Sequence, residues 1–312
     1  MKQGLKDVCV AVLLGIGLPW MLCSAGAAVL RQKAPPEEVQ ITVSEPEQPV
    51  IYVLTENGVE EMILKEYIAG VVLGEMPSGF ELEAKKAQAV AARTYALRVA
   101  AGKRHDGAVC TDSGCCQNFR NPGSVVDTQA VMAARDAAEQ TEGIVLTYQG
   151  KLIDATYFSC SGGVTEDAVA VWGADIPYLQ SVESPGEEYA VHYTDTVTLS
   201  LDAFQKALQI QLADPTHQWF GPATYTEGGG VETMIIGGTT YKGTELRKLL
   251  GLRSTIFEIA VTENSVTITT KGYGHRVGMS QYGADAMARG GSDFRTILQH
   301  YYQGVTLEEN WD

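Results

Sequence analysis

Apolar and polar positions follow the periods of both helices and strands, in separate stretches of the chain. Apolar residues recurring every three to four positions predict helices at 64–75, 82–101, 129–139, 203–212, 245–250 and 294–302. Short alternating or apolar runs bounded by turn residues predict strands at 50–53, 144–148, 152–158, 256–261 and 266–270. The two types follow no strict alternation, so we expect an α+β fold over 50–307, with 197–270 as an inserted smaller α+β region.

The N-terminal segment carries an uncharged apolar run at 8–30. A helix needs roughly 20 such residues to cross a bilayer, and Lys2 and Lys6 before the run favour a cytoplasmic N-terminus. We therefore expect a single-pass membrane anchor with the remaining chain outside the cytoplasm. The alternative is a cleaved signal peptide, since small residues occur at 25–27. The Pro- and Glu-rich stretch 31–49 is typical of an extended stalk.

The formal net charge of −15 restricts the class of partner. A nucleic-acid partner would need a basic face, so we expect none. An anionic ligand would have to meet a local cationic pocket, because the surface on average repels it.

Glu75 continues an apolar stripe on the helix predicted at 64–75. Leu64, Ile68 and Val71 follow one face of that helix, and Glu75 is the next position in the series. Partial burial raises the pKa of a carboxyl because it disfavours the charged form. A glutamic acid protonated near neutral pH can protonate a glycosidic oxygen. The alternative is a glutamate that points into water or pairs with a cation.

The helix predicted at 82–101 carries Lys86 and Arg93 seven positions apart, so both project from one side. Beside a protonated glutamic acid, these two cations are candidates for holding an anionic or polar substrate. The alternative is a solvated charged face.

Three cysteines and a histidine crowd into the stretch after that helix: His105, Cys110, Cys115 and Cys116. Zinc takes ligands of these types in tetrahedral geometry. Adjacent cysteines do not readily point at one ion, so we expect three or fewer protein ligands. The short loop favours a structural zinc, and the alternative is a Cys110–Cys116 disulfide.

A glycine-rich loop at 272–283 opens a further predicted helix and carries His275, Ser280 and Gln281. Glycine lets the backbone approach a ligand closely, which makes these three residues candidates for substrate binding. The alternative is a tight turn whose glycines serve packing.

Several short strings, taken in order, resemble the stage II sporulation protein D family. They are Gly70-Val71-Val72, Glu75-Met76-Pro77, the string from Lys86 to Ala96, Cys110-Thr111-Asp112, Cys116-Gln117, the string from Tyr157 to Gly163, residues 249–254, and His275 with Gly278-Met279-Ser280-Gln281. The resemblance runs from about residue 50 to 307, and the string from Lys86 to Ala96 is its most specific part.

The resemblance implies a lytic transglycosylase. Such an enzyme cuts the MurNAc–GlcNAc bond of glycan strands stripped of stem peptides, during engulfment of the forespore. The alternative is a non-catalytic scaffold that binds glycan and stimulates a partner amidase. Glu75 matches the family's catalytic glutamate, and Lys86 and Arg93 match helix positions near it. A free lactyl carboxylate on a stripped strand would give these cations a partner. The implied protein partners are a cell-wall amidase and a membrane scaffold protein of the engulfment machinery.

The resemblance also implies a zinc ion held by Cys110, Cys116 and His105. Three positions depart from the family's pattern. Cys115 and Phe158 stand where the family often has histidine, and Arg276 stands where it commonly has glycine. The first departure concerns the third zinc ligand, and the other two concern details of the substrate groove.

Overall fold

The computed structural model describes residues 48–102, 104–212 and 218–311. The predicted anchor at 8–30 and the predicted stalk up to residue 47 lie outside these residues. Among the described helices, none combines the length and the apolar character that crossing a bilayer requires.

The helices of the described chain are α1 Leu64–Glu75, α2 Leu82–Ala101, α3 Thr128–Gln140, α4 Ala168–Trp172, α5 Leu201–Leu208, α6 Gly243–Leu249, α7 Gln281–Arg289 and α8 Phe294–Tyr301. The strands are β1 Val50–Thr55, β2 Gly58–Ile63, β3 Val109–Cys110, β4 Val145–Tyr148, β5 Lys151–Leu152, β6 Tyr157–Phe158, β7 Thr194–Ser200, β8 Phe220–Tyr225, β9 Val231–Ile236, β10 Thr239–Lys242, β11 Ile256–Val261, β12 Ser265–Lys271, β13 Met279–Ser280 and β14 Thr306–Glu308. Helices and mainly antiparallel strands are thus combined, which confirms the α+β class.

A first hydrophobic cluster surrounds α2, which contacts α1, α3, α7 and α8. Ala87, Ala91 and Ala92 of α2 are fully buried. Small side chains let neighbouring helices approach α2 from several sides, so α2 is the central helix of this part of the fold.

A second hydrophobic cluster has all its buried members between Phe204 and Ile268. It lies among α5, α6 and two three-stranded sheets, ordered β11-β12-β7 and β10-β9-β8. These residues come from the stretch predicted as an inserted region.

The sequence predicts that the whole of 152–158 pairs with 144–148 in a hairpin, and this prediction is wrong. Only Lys151–Leu152 completes the hairpin with β4, whereas β6 pairs in parallel with β13. The register places Tyr157 opposite Met279 and Phe158 opposite Ser280. This long-range pairing brings the glycine-rich loop to β6, and both then border the candidate site.

Candidate active site

Glu75 is the last residue of α1, where the chain leaves the helix through an extended Met76 and Pro77. The apolar residues that precede it on the same face, Ile68 and Val71, are fully buried, as the stripe predicts. Glu75 itself is half-buried and lines two cavities. A carboxyl is thus held at the boundary between the core and an open groove.

Two glycines on α1 allow the chain at 118–120 to lie directly against the helix. A Cβ on Gly74 would lie 2.5 Å from the backbone oxygen of Asn118, and one on Gly70 would overlap the Phe119 ring. The backbone N–H of Arg120 donates to the Gly70 carbonyl at 3.0 Å. The absence of a side chain at these two positions therefore sets the distance between this segment and Glu75.

Asn118 and Gln281 hold the two carboxyl oxygens of Glu75. The backbone N–H of Asn118 donates to Oε1 at 2.7 Å, and its side-chain amide donates to the Gly74 carbonyl at 2.6 Å. The amide of Gln281 donates to Oε2 at 3.4 Å. The carboxyl group is thus oriented from both sides by neutral donors.

A chain of side-chain hydrogen bonds reaches Glu75 from the core. The hydroxyl of Tyr67 donates to Gln117 Oε1 at 3.1 Å, and Gln117 Nε2 donates to the Tyr157 hydroxyl at 2.9 Å. Because the Tyr157 oxygen accepts from Gln117, its own hydrogen is directed to another acceptor. The Tyr157 hydroxyl acts to lower the pKa of Glu75, as a neutral donor beside a carboxylate does.

Burial raises the pKa of Glu75 above that of an ordinary carboxyl, whereas hydrogen bonds from Asn118, Gln281 and Tyr157 act in the opposite direction. Burial has the larger effect. The carboxyl consequently stays protonated to a higher pH than in water, as its position on the apolar stripe predicts. When it loses its proton, the same three donors stabilise the carboxylate.

Glu75 and Gly74 line both of the two cavities. The first has a volume of about 580 Å³, and its lining includes Pro77, Lys85, Arg120 and Asp127. The second has a volume of about 730 Å³ and is lined by aromatic side chains, by Gln281 and by part of the cysteine cluster. Among their described lining residues, the acidic side chains are Glu75 and Asp127.

His275 lines the second cavity, where its ring lies 5.7 Å from that of Phe158 and 5.4 Å from that of Trp172. Burial lowers the pKa of His275 to about 4, so the ring is neutral at neutral pH. Its Nδ1 accepts from the backbone N–H of Val277 at 3.1 Å. The three rings form an apolar wall suited to the face of a sugar.

Ser280 and Gln281 follow His275 but differ in placement. Ser280 is buried, and its Oγ accepts from the Gly283 N–H at 3.2 Å as the N-cap of α7. Gln281, one position later, lines the second cavity and contacts Glu75. Ser280 therefore acts on the site through the placement of α7, whereas Gln281 borders it.

Arg276, which stands where the family commonly has glycine, adopts a left-handed backbone with φ 67°. Its buried guanidinium donates to the carbonyls of Ser161 at 2.8 Å and Val164 at 2.7 Å, and also to that of Gly228. A buried ion pair to Glu166 at 3.5 Å compensates the charge. Arg276 thus joins the glycine-rich loop to the segment before β9.

Lys86 and Arg93, the two predicted substrate cations, line neither of the two cavities that Glu75 borders. Lys86 Nζ pairs with Glu83 Oε1 at 2.6 Å and lies 5.9 Å from the centre of the Phe294 ring. Arg93 is 2% exposed. Its guanidinium donates to the carbonyls of Ala138, Thr141 and Ile144 at 2.6 to 3.1 Å. These carbonyls lie at the end of α3 and just after it, so Arg93 caps that helix.

Replacing Arg93 with leucine should therefore lower stability. Three buried carbonyls would lose their donor, and the free energy of unfolding should fall by about 3 kcal/mol or more. Lys86→Ala removes one partly exposed ion pair and should cost about 1 kcal/mol or less. Denaturant unfolding of both variants checks this. An Arg93→Leu protein of unchanged stability that binds glycan poorly would contradict the structural role.

His105, Cys110, Cys115 and Cys116 come together in one cluster. Their ligand atoms all lie within 4.8 Å of one another, and His105 Nε2 is 3.2 Å from Cys115 Sγ. All three cysteines are free thiols, so the alternative Cys110–Cys116 disulfide is not formed. Adjacent Cys115 and Cys116 both belong to the cluster, so four candidate ligand atoms lie together where three or fewer ligands were expected. His105 reaches it through a left-handed backbone, with φ 51°.

Three sulfur atoms and one imidazole nitrogen at this spacing suit tetrahedral zinc, whose bonds to sulfur are about 2.3 Å long. The donor set thus fits the metal that the sequence predicts. Cys115 and Cys116 also line the second cavity, and Gln117 and Asn118 follow them directly. The cluster is therefore adjacent to the segment that orients Glu75.

Sequence reasoning assigned no role to Asn118, Gln117, Tyr157 or Arg120. Gln117 and Tyr157 belong to strings that resemble the family. The resemblance therefore marked both positions but gave neither a chemical role. Asn118 acts mainly through its backbone N–H, which any residue except proline supplies. The sequence does not indicate this donor, because only the path of the chain along α1 brings the Asn118 N–H to Glu75.

The chain is similar in sequence to proteins of known families. The sequence model of the Stage II sporulation protein family matches residues 54–148, which include Glu75 and the cysteine cluster. The chain is 39% identical to stage II sporulation protein D of Bacillus amyloliquefaciens, over 98% of this chain and 94% of that protein. It is 38% identical to stage II sporulation protein D of Bacillus subtilis, over 83% of this chain and 78% of that protein. It is 30% identical to an amidase enhancer of Bacillus subtilis, over 77% of this chain and 40% of that protein.

Proposed function

The chain belongs to the stage II sporulation protein D family, which has a role in sporulation, and we propose that it is a peptidoglycan lytic transglycosylase. It would cleave MurNAc–GlcNAc bonds of peptide-stripped glycan strands during forespore engulfment. The observation that carries this proposal is Glu75, a carboxyl with a raised pKa that lines two cavities and is oriented by neutral donors.

In the proposed reaction, Glu75 first donates its proton to the glycosidic oxygen, and the bond from that oxygen to C1 of MurNAc breaks. The resulting carboxylate is stabilised by Asn118, Gln281 and Tyr157. It then takes the proton of the MurNAc C6 hydroxyl, whose oxygen attacks C1. Glu75 returns to its protonated form, and the MurNAc end carries a 1,6-anhydro ring. One carboxyl is sufficient because the sugar's own hydroxyl replaces water.

A hydrolase would usually need a second carboxylate on the other side of the bond. The other acidic residue among the described lining positions is Asp127, and its Oδ1 accepts from the N–H groups of Gln129 and Ala130 at 3.1 Å. Asp127 thereby caps α3. This arrangement favours a mechanism in which Glu75 is the only acid and base.

The proposal includes a structural zinc ion held by His105, Cys110, Cys115 and Cys116. When bound, the ion would tie the ends of the loop at 105–116 together, and no step of the reaction passes through it. Because Asn118 follows this loop closely, the metal would keep the donor to Glu75 in place.

The proposed activity is placed outside the cytoplasm. The support is the uncharged run at 8–30 with lysines before it, which predicts a single-pass anchor with a cytoplasmic N-terminus. A cell-wall amidase and a membrane scaffold protein of the engulfment machinery are the proposed partners, since stripped strands must first lose their stem peptides.

Mass spectrometry of the products from peptide-free glycan strands tests the proposed reaction. A lytic transglycosylase leaves MurNAc ends lighter by one water than the reducing ends left by a hydrolase. We expect 1,6-anhydro ends. Reducing ends alone would show hydrolysis, and intact strands would show that the protein does not cut glycan under these conditions.

The activity is expected to fall as pH rises through the pKa of Glu75, because the first step needs the protonated carboxyl and burial raises that pKa. Gln281→Met removes a donor that favours the carboxylate, so it should move this alkaline limb of kcat/KM to higher pH. Gln180→Met is a matched control, since Gln180 lines neither of the two cavities and donates to Ile176. If the alkaline limb of the kcat/KM profile stays at the same pH in Gln281→Met, the limb does not report the ionisation of Glu75.

Similarity to an amidase enhancer favours a second candidate function, a non-catalytic scaffold that binds glycan and stimulates a partner amidase. In that case Glu75→Gln would leave stimulation unchanged. The product analysis and the Glu75 variant together separate the two functions.

A further inference from the structure

The cationic side chains that border Glu75 differ from those that the sequence predicts. Lys85 and Arg120 line the first cavity, and Arg104 lines the second. Because a chain of net charge −15 repels anions on average, these cations are the candidates for binding an anionic group beside Glu75.

Two of these three cations already have partners within the protein. Lys85 is 5% exposed, and its Nζ donates to the Ser78 carbonyl at 2.9 Å and to that of Phe80. It therefore holds the loop that follows α1. The guanidinium of Arg104 donates to the Cys115 carbonyl at 3.1 Å, beside the cysteine cluster.

Arg120 is different, because its backbone is fixed and its side chain is available. The preceding residues lie against α1, and the Arg120 N–H donates to Gly70. The residue is exposed, and its guanidinium has neither a hydrogen bond nor an ion pair with any described residue. The acidic neighbour in the lining, Asp127, uses its carboxylate to cap α3. A free guanidinium thus borders the same cavity as the proposed catalytic carboxyl.

We propose that Arg120 binds the free lactyl carboxylate of MurNAc in the first cavity and so distinguishes stripped strands from strands that carry peptides. The inference rests on the proposed function. A guanidinium binds a carboxylate through two parallel hydrogen bonds. In a peptide-bearing strand the same carboxyl is an amide, which has no charge and only one acceptor oxygen. Arg120 would then be the cation that binds the lactyl carboxylate, a role predicted from the sequence for Lys86 and Arg93.

Two substrates isolate this contact: peptide-free strands with free lactyl carboxylates, and the same strands with those groups converted to methylamides. Arg120→Gln should raise KM on the carboxylate strands roughly 10- to 100-fold with kcat nearly unchanged, as expected for loss of a charge-assisted hydrogen bond. On the methylamide strands the variant and the unmodified protein should differ less than about twofold. Arg120→Lys should retain part of the preference, because it keeps the charge without the planar fork.

Arg135→Gln is the matched control. Arg135 is also exposed, but it pairs with Glu66 at 2.9 Å and lines neither cavity. This variant should behave like the unmodified protein on both substrates. An equal loss of Arg120→Gln on both substrates, or an unchanged KM on carboxylate strands, would overturn the assignment of Arg120.

Calorimetric binding separates this inference from the proposed function. With Glu75→Gln as the background, binding is measured without cleavage, and adding Arg120→Gln should weaken binding of carboxylate strands only. Equal binding of both strands in the Glu75→Gln background would reject the role of Arg120 whether or not the protein cuts glycan. Selective binding by a protein that produces no 1,6-anhydro ends would reject the transglycosylase and retain the carboxylate contact.

Discussion

Glu75→Gln is expected to abolish strand cleavage while the fold and strand binding remain. A positioned general acid or base contributes roughly 10²- to 10⁴-fold to a rate, and Glu75 is proposed to act in both steps. We therefore expect kcat to fall by at least about 10³-fold, measured as release of 1,6-anhydro ends from peptide-free strands. Binding of the same strands, measured by calorimetry, should change little.

The pKa of Glu75 predicts whether Glu75→Gln raises or lowers the stability of the fold. Burial raises the pKa of Glu75, so the folded protein favours the protonated carboxyl. Ionisation then reduces stability as pH rises above the pKa of the unfolded chain, and the loss is complete above the pKa of the folded protein. Glutamine is always neutral and can still accept from the Asn118 N–H. Above that pH range, the thermal midpoint of Glu75→Gln should equal or exceed that of the unmodified protein.

Asp127→Asn is the control for a second carboxylate. Asparagine is also a good N-cap, so α3 should be retained and kcat should stay within about tenfold of the unmodified value. Equal and severe losses in Glu75→Gln and Asp127→Asn would instead indicate two carboxylates and a hydrolytic mechanism. Cleavage to anhydro ends by Glu75→Gln at an undiminished rate would refute the central role of Glu75.

Removing the zinc proposed at the cysteine cluster should have the second large effect. Binding energy of a structural zinc is folding energy, so a strong chelator should lower stability by about 5 kcal/mol or more. The loop at 105–116 contains the left-handed residues His105 and Asp106 and little regular structure. Without the metal, its loosening should displace Asn118 and reduce activity as well. Metal analysis of the purified protein should find one zinc per chain.

Cysteine variants distinguish four ligands from three. Cys110→Ser and Cys115→Ser should both lose zinc and lower the thermal midpoint, since both thiols belong to the cluster. Cys160→Ala is the control, because Cys160 is a buried free thiol outside the cluster, and it should keep its zinc. Full zinc content in Cys115→Ser would show that this residue is not a ligand.

The bounds of α1 and α2 were predicted correctly, because each helix is specified by its own residues. Apolar periodicity, the proline after Glu75 and the glycine after Ala101 are local signals that need no distant partner. The sequence alone also placed a carboxyl on a buried stripe and collected one histidine and three cysteines into one short stretch. These features determined the candidate acid and the candidate metal site.

The surroundings of the acid were decided by contacts between distant parts of the chain. The parallel pairing of β6 with β13 joins segments more than a hundred residues apart, and no periodicity specifies such a partner. Lys86 and Arg93 illustrate the same limit. Their spacing predicts a shared side of α2, but the structure buries Arg93 and uses its guanidinium to cap α3.

Glu75 itself shows which features the sequence determines and which the tertiary structure determines. Its place on the helix, and hence its partial burial, followed from the sequence, since a helical face is a property of local spacing. Its hydrogen-bond donors did not, because a backbone N–H and the side chains of Gln281 and Tyr157 reach it only when separate segments pack against α1. The free guanidinium of Arg120 is likewise a tertiary outcome, since pairing depends on which charged side chains packing places within reach.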